Sequence, residues 1–166
     1  MIARERHGAG AGRIALVTTW REQALIDAPV EQVWDLIGDP NRYPEWWPLA
    51  IEVEGLPRIE TQATYRQVSR VLGATVETTF RIETLDDLRE IKVVCNDFGT
   101  NARWLITPAQ DATVADIEIG FESNRASLGV LRAPLAKRYL RTWAAETIGG
   151  LRGAVAHAGS LGNSAP

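Results

Sequence analysis

Between Leu49 and Phe121 the chain changes polarity at nearly every step, and after Asn124 it stops doing so. Ile51 and Val53 alternate with Glu52 and Glu54. Val76, Thr78, Phe80 and Ile82 alternate with Glu77, Thr79, Arg81 and Glu83. The same holds for Ile91, Val93 and Cys95, and again for Ala115, Ile117, Ile119 and Phe121. A period of two sends successive side chains to opposite faces of a strand, so each run has one apolar and one polar face. Turns are expected at Gly73-Ala74, Asp86-Asp87, Asp97-Phe98-Gly99 and residues 108–112. With further strands at residues 63–72 and around Ala102, Trp104 and Ile106, this is an antiparallel meander wet on one face. The period then becomes helical. Ala136, Leu140, Trp143, Thr147, Leu151 and Ala154 predict one face of a helix of about 20–25 residues. Pro134 suits its first turn, or a break from a shorter segment at Leu128–Leu131. Gly149-Gly150 reads as close packing or a bend inside the helix, not its end.

Ahead of the meander, residues 14–26 form a strand candidate. Asp27-Ala28-Pro29 is a helix start, with Asp27 as cap and Pro29 near the first turn. Val30, Val33, Trp34 and Ile37 fall on one helical face, which Gly38-Asp39-Pro40 ends. Residues 40–43 allow one more short turn, and Pro44-Glu45-Trp46-Trp47-Pro48 is rigid and aromatic. The order is strand, two short helices, six strands, long helix. It predicts an α+β fold: a seven-stranded antiparallel sheet with the C-terminal helix packed over it. One helix cannot cover such a sheet, and the residual space becomes a cavity. We expect a single domain over residues 13–158, with tails at 1–12 and 159–166.

Composition narrows the function. A net charge of −3 offers no basic excess to draw in nucleic acid. One cysteine, Cys95, excludes an internal disulfide and a Cys-based zinc site. His7 and His157 lie near opposite ends of the chain, which argues against a His-centred triad or metal site, and no cofactor is expected. No apolar run approaches the ~20 residues of a membrane span, and the N-terminal stretch has no apolar core of a signal peptide. The cytoplasm is the default location. Six tryptophans are many for 166 residues, and indoles serve both cores and pocket walls.

Residues 26–37 (IDAPVEQVWDLI) and 39–48 (DPNRYPEWWP) resemble the opening signature of the START-like (SRPBCC, helix-grip) superfamily. Residues 128–131 and 135–151 resemble the long closing helix of its polyketide cyclase/dehydrase and lipid-transport branch. The resemblance covers about residues 14–156 and implies the helix-grip fold. Members bind lipids, plant hormones, polyketides and quinones; some are cyclases. Fold alone does not settle which.

Candidate ligand-binding residues follow from alternation and from this resemblance. Trp46 and Trp47 are either a gate at the cavity mouth or a plug closing the end of the sheet. The inward strand set is Thr78, Phe80, Cys95, Trp104, Ile119 and Phe121, with Trp20 and Tyr65 in strands that alternate less cleanly. The helix contributes Leu140, Trp143 and Thr147. Small residues on its inner face, Ala136, Thr147 and Ala154, leave volume unless large sheet residues fill it. Tyr65, with Gln67 and Ser69 on the same strand face, is the best proton donor on offer. Glu22 faces inward with Trp20 or is a solvated edge charge, and Cys95 reads as a buried, inert thiol. The closing segment carries Arg125, Arg132, Lys137, Arg138, Arg141 and Arg152 against Glu146. That is either a solvated face or a contact for anionic lipid or an acidic partner.

Three functions stand in order. The first is a carrier of a small hydrophobic or amphipathic ligand. The second is a polyketide cyclase or aromatase in which Tyr65 promotes enolisation. The third is an interaction module that uses the basic helix or the Trp46-Trp47 edge for a partner or a homodimer.

Overall fold

The computed structural model describes residues 17–71, 73–122 and 133–162. The segment at Leu128–Leu131, the N-terminal tail, and Arg125 and Arg132 lie outside the described residues.

Seven strands form one sheet: β1 (Val17–Ile26), β2 (Ala50–Glu54), β3 (Thr64–Val71), β4 (Ala74–Asp86), β5 (Glu90–Cys95), β6 (Thr100–Ala109) and β7 (Ala112–Glu122). The spatial order is β1-β7-β6-β5-β4-β3-β2, and every pairing is antiparallel. The meander therefore pairs neighbours in sequence, while β1 closes onto the last strand. At the β3–β4 hairpin, Val71 pairs with Ala74 and Gly73 takes φ +84°, a left-handed conformation that costs glycine little.

The alternation translates into two faces. Ile91, Val93 and Cys95 are buried, as are Ala102, Trp104 and Ile106, and Ala115, Ile117, Ile119 and Phe121. The opposite face carries ion pairs: Arg103 with Glu90, Lys92 with Glu83, Arg66 with Glu54 and Glu77, and Arg21 with Asp116. Most are half-exposed and screened by water, and they keep that face polar.

Between β1 and β2 the chain forms α1 (Val30–Ile37), a 3-10 turn at Pro40–Arg42, and α2 (Tyr43–Trp46). The expected cap is corrected here. Pro29, not Asp27, holds the N-cap position of α1, and no side chain caps it. Asp27 stands two residues further out, beyond the reach by which a cap bonds the first-turn amides. The aspartate that does cap is Asp39, which accepts from the Asn41 amide at 2.9 Å ahead of the 3-10 turn.

The closing helix, α3, runs Ala133–Gly162, 30 residues, longer than the sequence reading and past its boundary at 158. Of the stripe that the periodicity predicts, Ala136, Leu140, Trp143, Thr147 and Leu151 are buried and Ala154 is half-buried, and Ala144, Ile148 and Val155 are buried beside it. The helix packs chiefly on β1, with β7, α1 and α2 as lesser neighbours. Gly150 is the close-packing residue of the glycine pair. A Cβ built on it would stand 2.0 Å from the Trp46 carbonyl oxygen, whereas one on Gly149 would meet nothing within 4 Å. The helix thus rests against the backbone of α2 at one end and leaves the middle strands of the sheet uncovered.

Candidate functional site

That uncovered region is a cavity of about 190 Å³. Its floor is the inner face of the sheet. β3 supplies Gln67, Ser69 and Val71, and β4 supplies Val76, Thr78 and Phe80. β5 supplies Val93 and Cys95, and β6 with β7 adds Ala102 and Phe121. The helix side is Tyr139 and Trp143 of α3, and the end wall is Trp47 and Leu49 after α2. Phe98 enters from the β5–β6 turn.

Aromatic contacts fix the walls. Trp47 lies 5.6 Å from Trp46 in a stacked arrangement and 6.2 Å from Trp143. Trp143 stacks on Phe121 at 6.4 Å, and Phe121 on Tyr139 at 6.3 Å. Behind the end wall, Trp46 is fixed by its indole N–H, which donates to the Leu36 carbonyl at 3.2 Å. Tyr43 donates to the Ile37 carbonyl at 3.2 Å and meets the face of Trp47 at 4.7 Å. Such offset aromatic pairs each add roughly 0.5–1.5 kcal/mol beyond area burial, so the end wall is rigid.

Of the twelve candidate residues, the structure brings six to the cavity: Trp47, Thr78, Phe80, Cys95, Phe121 and Trp143. The other six sit elsewhere. Trp46, Trp104 and Leu140 are packed core. Thr147 is fully buried, its hydroxyl donates within the helix to the Trp143 carbonyl at 2.7 Å, and it does not line the cavity. The expectation that small helix residues create the space is corrected with it. The volume exists because α3 lies toward β1, and its cavity side is the large pair Tyr139 and Trp143. Trp20 lies on the inward face, opposite Ile119, but in a shallow groove with Glu22, Arg141 and Glu146 on the far side of the helix. Its indole donates to Glu22 at 3.3 Å.

Tyr65 is the sixth. It is 2% exposed and stacked on Phe80 at 5.6 Å, on the inner face of β3 but outside the cavity lining. Burial raises its phenol well above the ordinary value, with Tyr43 adding to the effect, and its hydroxyl has no hydrogen-bond partner among the described residues. Burial likewise pushes up the Cys95 thiol and the Tyr139 phenol. Both wall residues are therefore neutral near pH 7.

Sequence reasoning missed several wall residues. Val93 and Ala102 share the face of residues already assigned, so alternation carries their signal. Tyr139 stands one helical turn before Trp143, at a spacing that the stripe contained. Phe98 comes from a turn and has no periodic signal at all.

Residues 18–156 match the family model described as polyketide cyclase / dehydrase and lipid transport. The chain belongs to this family. No curated protein matches the sequence. Among solved structures, a START superfamily protein from Mycobacterium smegmatis superposes with a TM-score of 0.73 at 17% identity, over 84% of this chain and 97% of that one. The Zhui aromatase/cyclase from Streptomyces sp. R1128 gives 0.63 at 20% identity, covering 84% and 92%. The di-domain aromatase/cyclase StfQ of the steffimycin pathway gives 0.69 at 18% identity, over 89% of this chain and 52% of that one. At these identities the likeness establishes the START-like fold. In this member of the polyketide cyclase/dehydrase family, no helix among the described residues is long and apolar enough to cross a membrane. Lys137, Arg138, Arg141 and Arg152 are exposed on α3, and Arg152 donates to the Leu25 carbonyl at 3.1 Å.

Proposed function

We propose that this family member binds a small hydrophobic or amphipathic molecule in the cavity between the sheet and α3, as a carrier rather than a catalyst. The observation that carries the reading is the cavity itself, about 190 Å³ with walls built mainly of aromatic and aliphatic side chains. A dry apolar cavity of about 150 Å³ takes up benzene or xenon, so this volume is enough for a ring compound. Acid–base catalysis needs a group that changes protonation within reach of the substrate. Among the described wall residues there is no carboxylate and no imidazole.

The cyclase reading stands second. It is favoured by the family's name and by the aromatase/cyclases among the fold's relatives. It would have to use Tyr139 or Cys95, the titratable wall residues, as neutral donors, because the Tyr65 hydroxyl does not reach the cavity.

Thermal melting with and without naphthalene tests the binding reading. A ligand at ten times its Kd should raise Tm by about 3–5 °C for a domain of this size. Ala102→Leu, which fills the floor, should remove that rise while the unliganded stability falls by no more than overpacking allows, about 1–3 kcal/mol. A parent Tm that neither naphthalene nor 2-naphthol raises refutes ligand binding. Incubation with a poly-β-ketone thioester separates the second reading: a new ring product seen by mass spectrometry would move the assignment to a cyclase.

A further inference from the structure

The cavity is selective in its polarity as well as its size. Among the described residues that line it there is no Asp, Glu, Lys, Arg or His. Its fully buried polar groups gather on one strip of the floor, while the half-buried Thr100 and Asn101 of β6 and Tyr139 of α3 bring polar atoms to other parts of the lining. Gln67 and Ser69 of β3 and Thr78 of β4 are each more than nine-tenths buried, and Gln67 pairs with Thr78 in register. Gln67 Nε2 donates to Ser69 Oγ at 2.8 Å, and Thr78 Oγ1 donates to the Gln67 backbone carbonyl at 3.4 Å.

The inventory of donors and acceptors is then short. An amide side chain offers two donor hydrogens and an acceptor oxygen, and a hydroxyl offers one donor and two acceptor sites. After the internal bonds, the Ser69 hydroxyl proton, the second Gln67 Nε2 hydrogen and Gln67 Oε1 remain without partners among the described residues, so the pair still offers donors and an acceptor side by side. Gln67 and Ser69 both line the cavity, and Gln67 Oε1 is not among the polar atoms sealed away without a bond. Turning the Gln67 amide over would exchange which residue donates, but would still leave one donor and one acceptor side by side. A hydroxyl group is the ligand chemistry that answers both at once. Its proton goes to the acceptor and its oxygen receives the donor.

We propose that the cavity selects an uncharged aromatic alcohol of one or two rings, whose hydroxyl sits on the Gln67–Ser69 pair and whose rings lie among Phe80, Phe121 and Trp143. The proposal rests on the ligand-binding reading and narrows it. A bare hydrocarbon would bury the pair without partners, which a buried polar group resists. A carboxylate would enter a wall with no cation to meet it. A site built to hydrogen-bond a ligand hydroxyl discriminates strongly against the analogue lacking it, because the site's own polar groups are stranded.

Three probes with one ring skeleton test this at pH 7: naphthalene, 2-naphthol and 2-naphthoate, titrated against the parent protein, Ser69→Ala and Gln67→Leu. The naphthol should bind the parent roughly tenfold or more tighter than naphthalene, the return expected from two hydrogen bonds to an otherwise unpaired buried pair. The naphthoate should bind at least about tenfold more weakly than the naphthol. Each variant should lose most of the naphthol preference, through weaker naphthol binding together with unchanged or tighter naphthalene binding. Ser69→Ala changes volume least, so it decides the question if Gln67→Leu melts early. Equal affinity for naphthol and naphthalene in the parent, a preference that survives Ser69→Ala, or tight naphthoate binding would each overturn the proposal. Failure of the parent to bind naphthalene or naphthol would refute the ligand-binding reading beneath it.

Discussion

Two adjacent glycines in α3 should respond in opposite directions to the same substitution. Glycine in a helix interior costs roughly 0.5–1 kcal/mol relative to alanine. Gly149→Ala adds a methyl with nothing within 4 Å, so it should stabilise the fold by about that amount. Gly150→Ala collects the same propensity gain but drives its methyl to 2.0 Å from the Trp46 carbonyl oxygen. Real Cβ contacts essentially never fall below 3.0 Å, so helix and loop must part by about 1 Å. The obstacle is backbone, held on one side by the Trp46 indole bond to Leu36 and on the other by the stack on Trp47. Overpacking of a close contact costs about 1–3 kcal/mol, which leaves a net loss of about 1–2 kcal/mol once the propensity gain is counted. For a domain of this size each kcal/mol moves Tm by about 2–4 °C. Paired melts should therefore show Gly149→Ala above the parent and Gly150→Ala below it by several degrees. Because Trp47 forms the end wall, Gly150→Ala should also weaken naphthalene binding, whereas Gly149→Ala should not. If the two variants melt together, α3 does not rest on the Trp46 backbone and the helix placement that opens the cavity is wrong.

Leu140→Ala should cost about 2–5 kcal/mol, since Leu140 is fully buried on the gripping face, while the exposed Arg138→Ala should stay within about 0.5 kcal/mol; urea midpoints that match for the two would contradict the stripe. Tyr65→Phe removes a buried hydroxyl that has no partner, so stability should hold or rise by up to about 1–3 kcal/mol with ligand affinity unchanged; a folded variant that loses binding would return Tyr65 to the site. Arg103 holds the Glu90 carboxyl below the usual carboxylate range. A depressed folded value adds stability that is complete above the unfolded pKa of about 4.3 and is lost as pH falls through the folded one. Glu90→Gln should therefore narrow the stability difference between pH 6 and pH 3, and an unaltered pH slope would show that the pair contributes nothing.

The sequence by itself determined the strands, their faces and the closing helix. Alternation is a local property: Ile91, Val93 and Cys95 share a face wherever the strand is placed, and Leu140, Thr147 and Leu151 share one on any straight helix. The opening signature also pointed to the family, and with it the helix-grip fold. What alternation cannot carry is the lateral position of one element on another. Thr147 and Tyr139 both lie near the apolar stripe, and only the seating of α3 toward β1 decides that Thr147 is sealed and Tyr139 lines the cavity. That seating depends on a contact 104 positions apart in the chain, Gly150 against the carbonyl of Trp46. Likewise, Tyr65, Gln67 and Ser69 share one strand face, yet the cavity reaches two of them and not the third. Periodicity fixes direction, whereas depth follows from how the helix and the aromatic end wall divide the space above the sheet, and that division is a property of long-range packing alone.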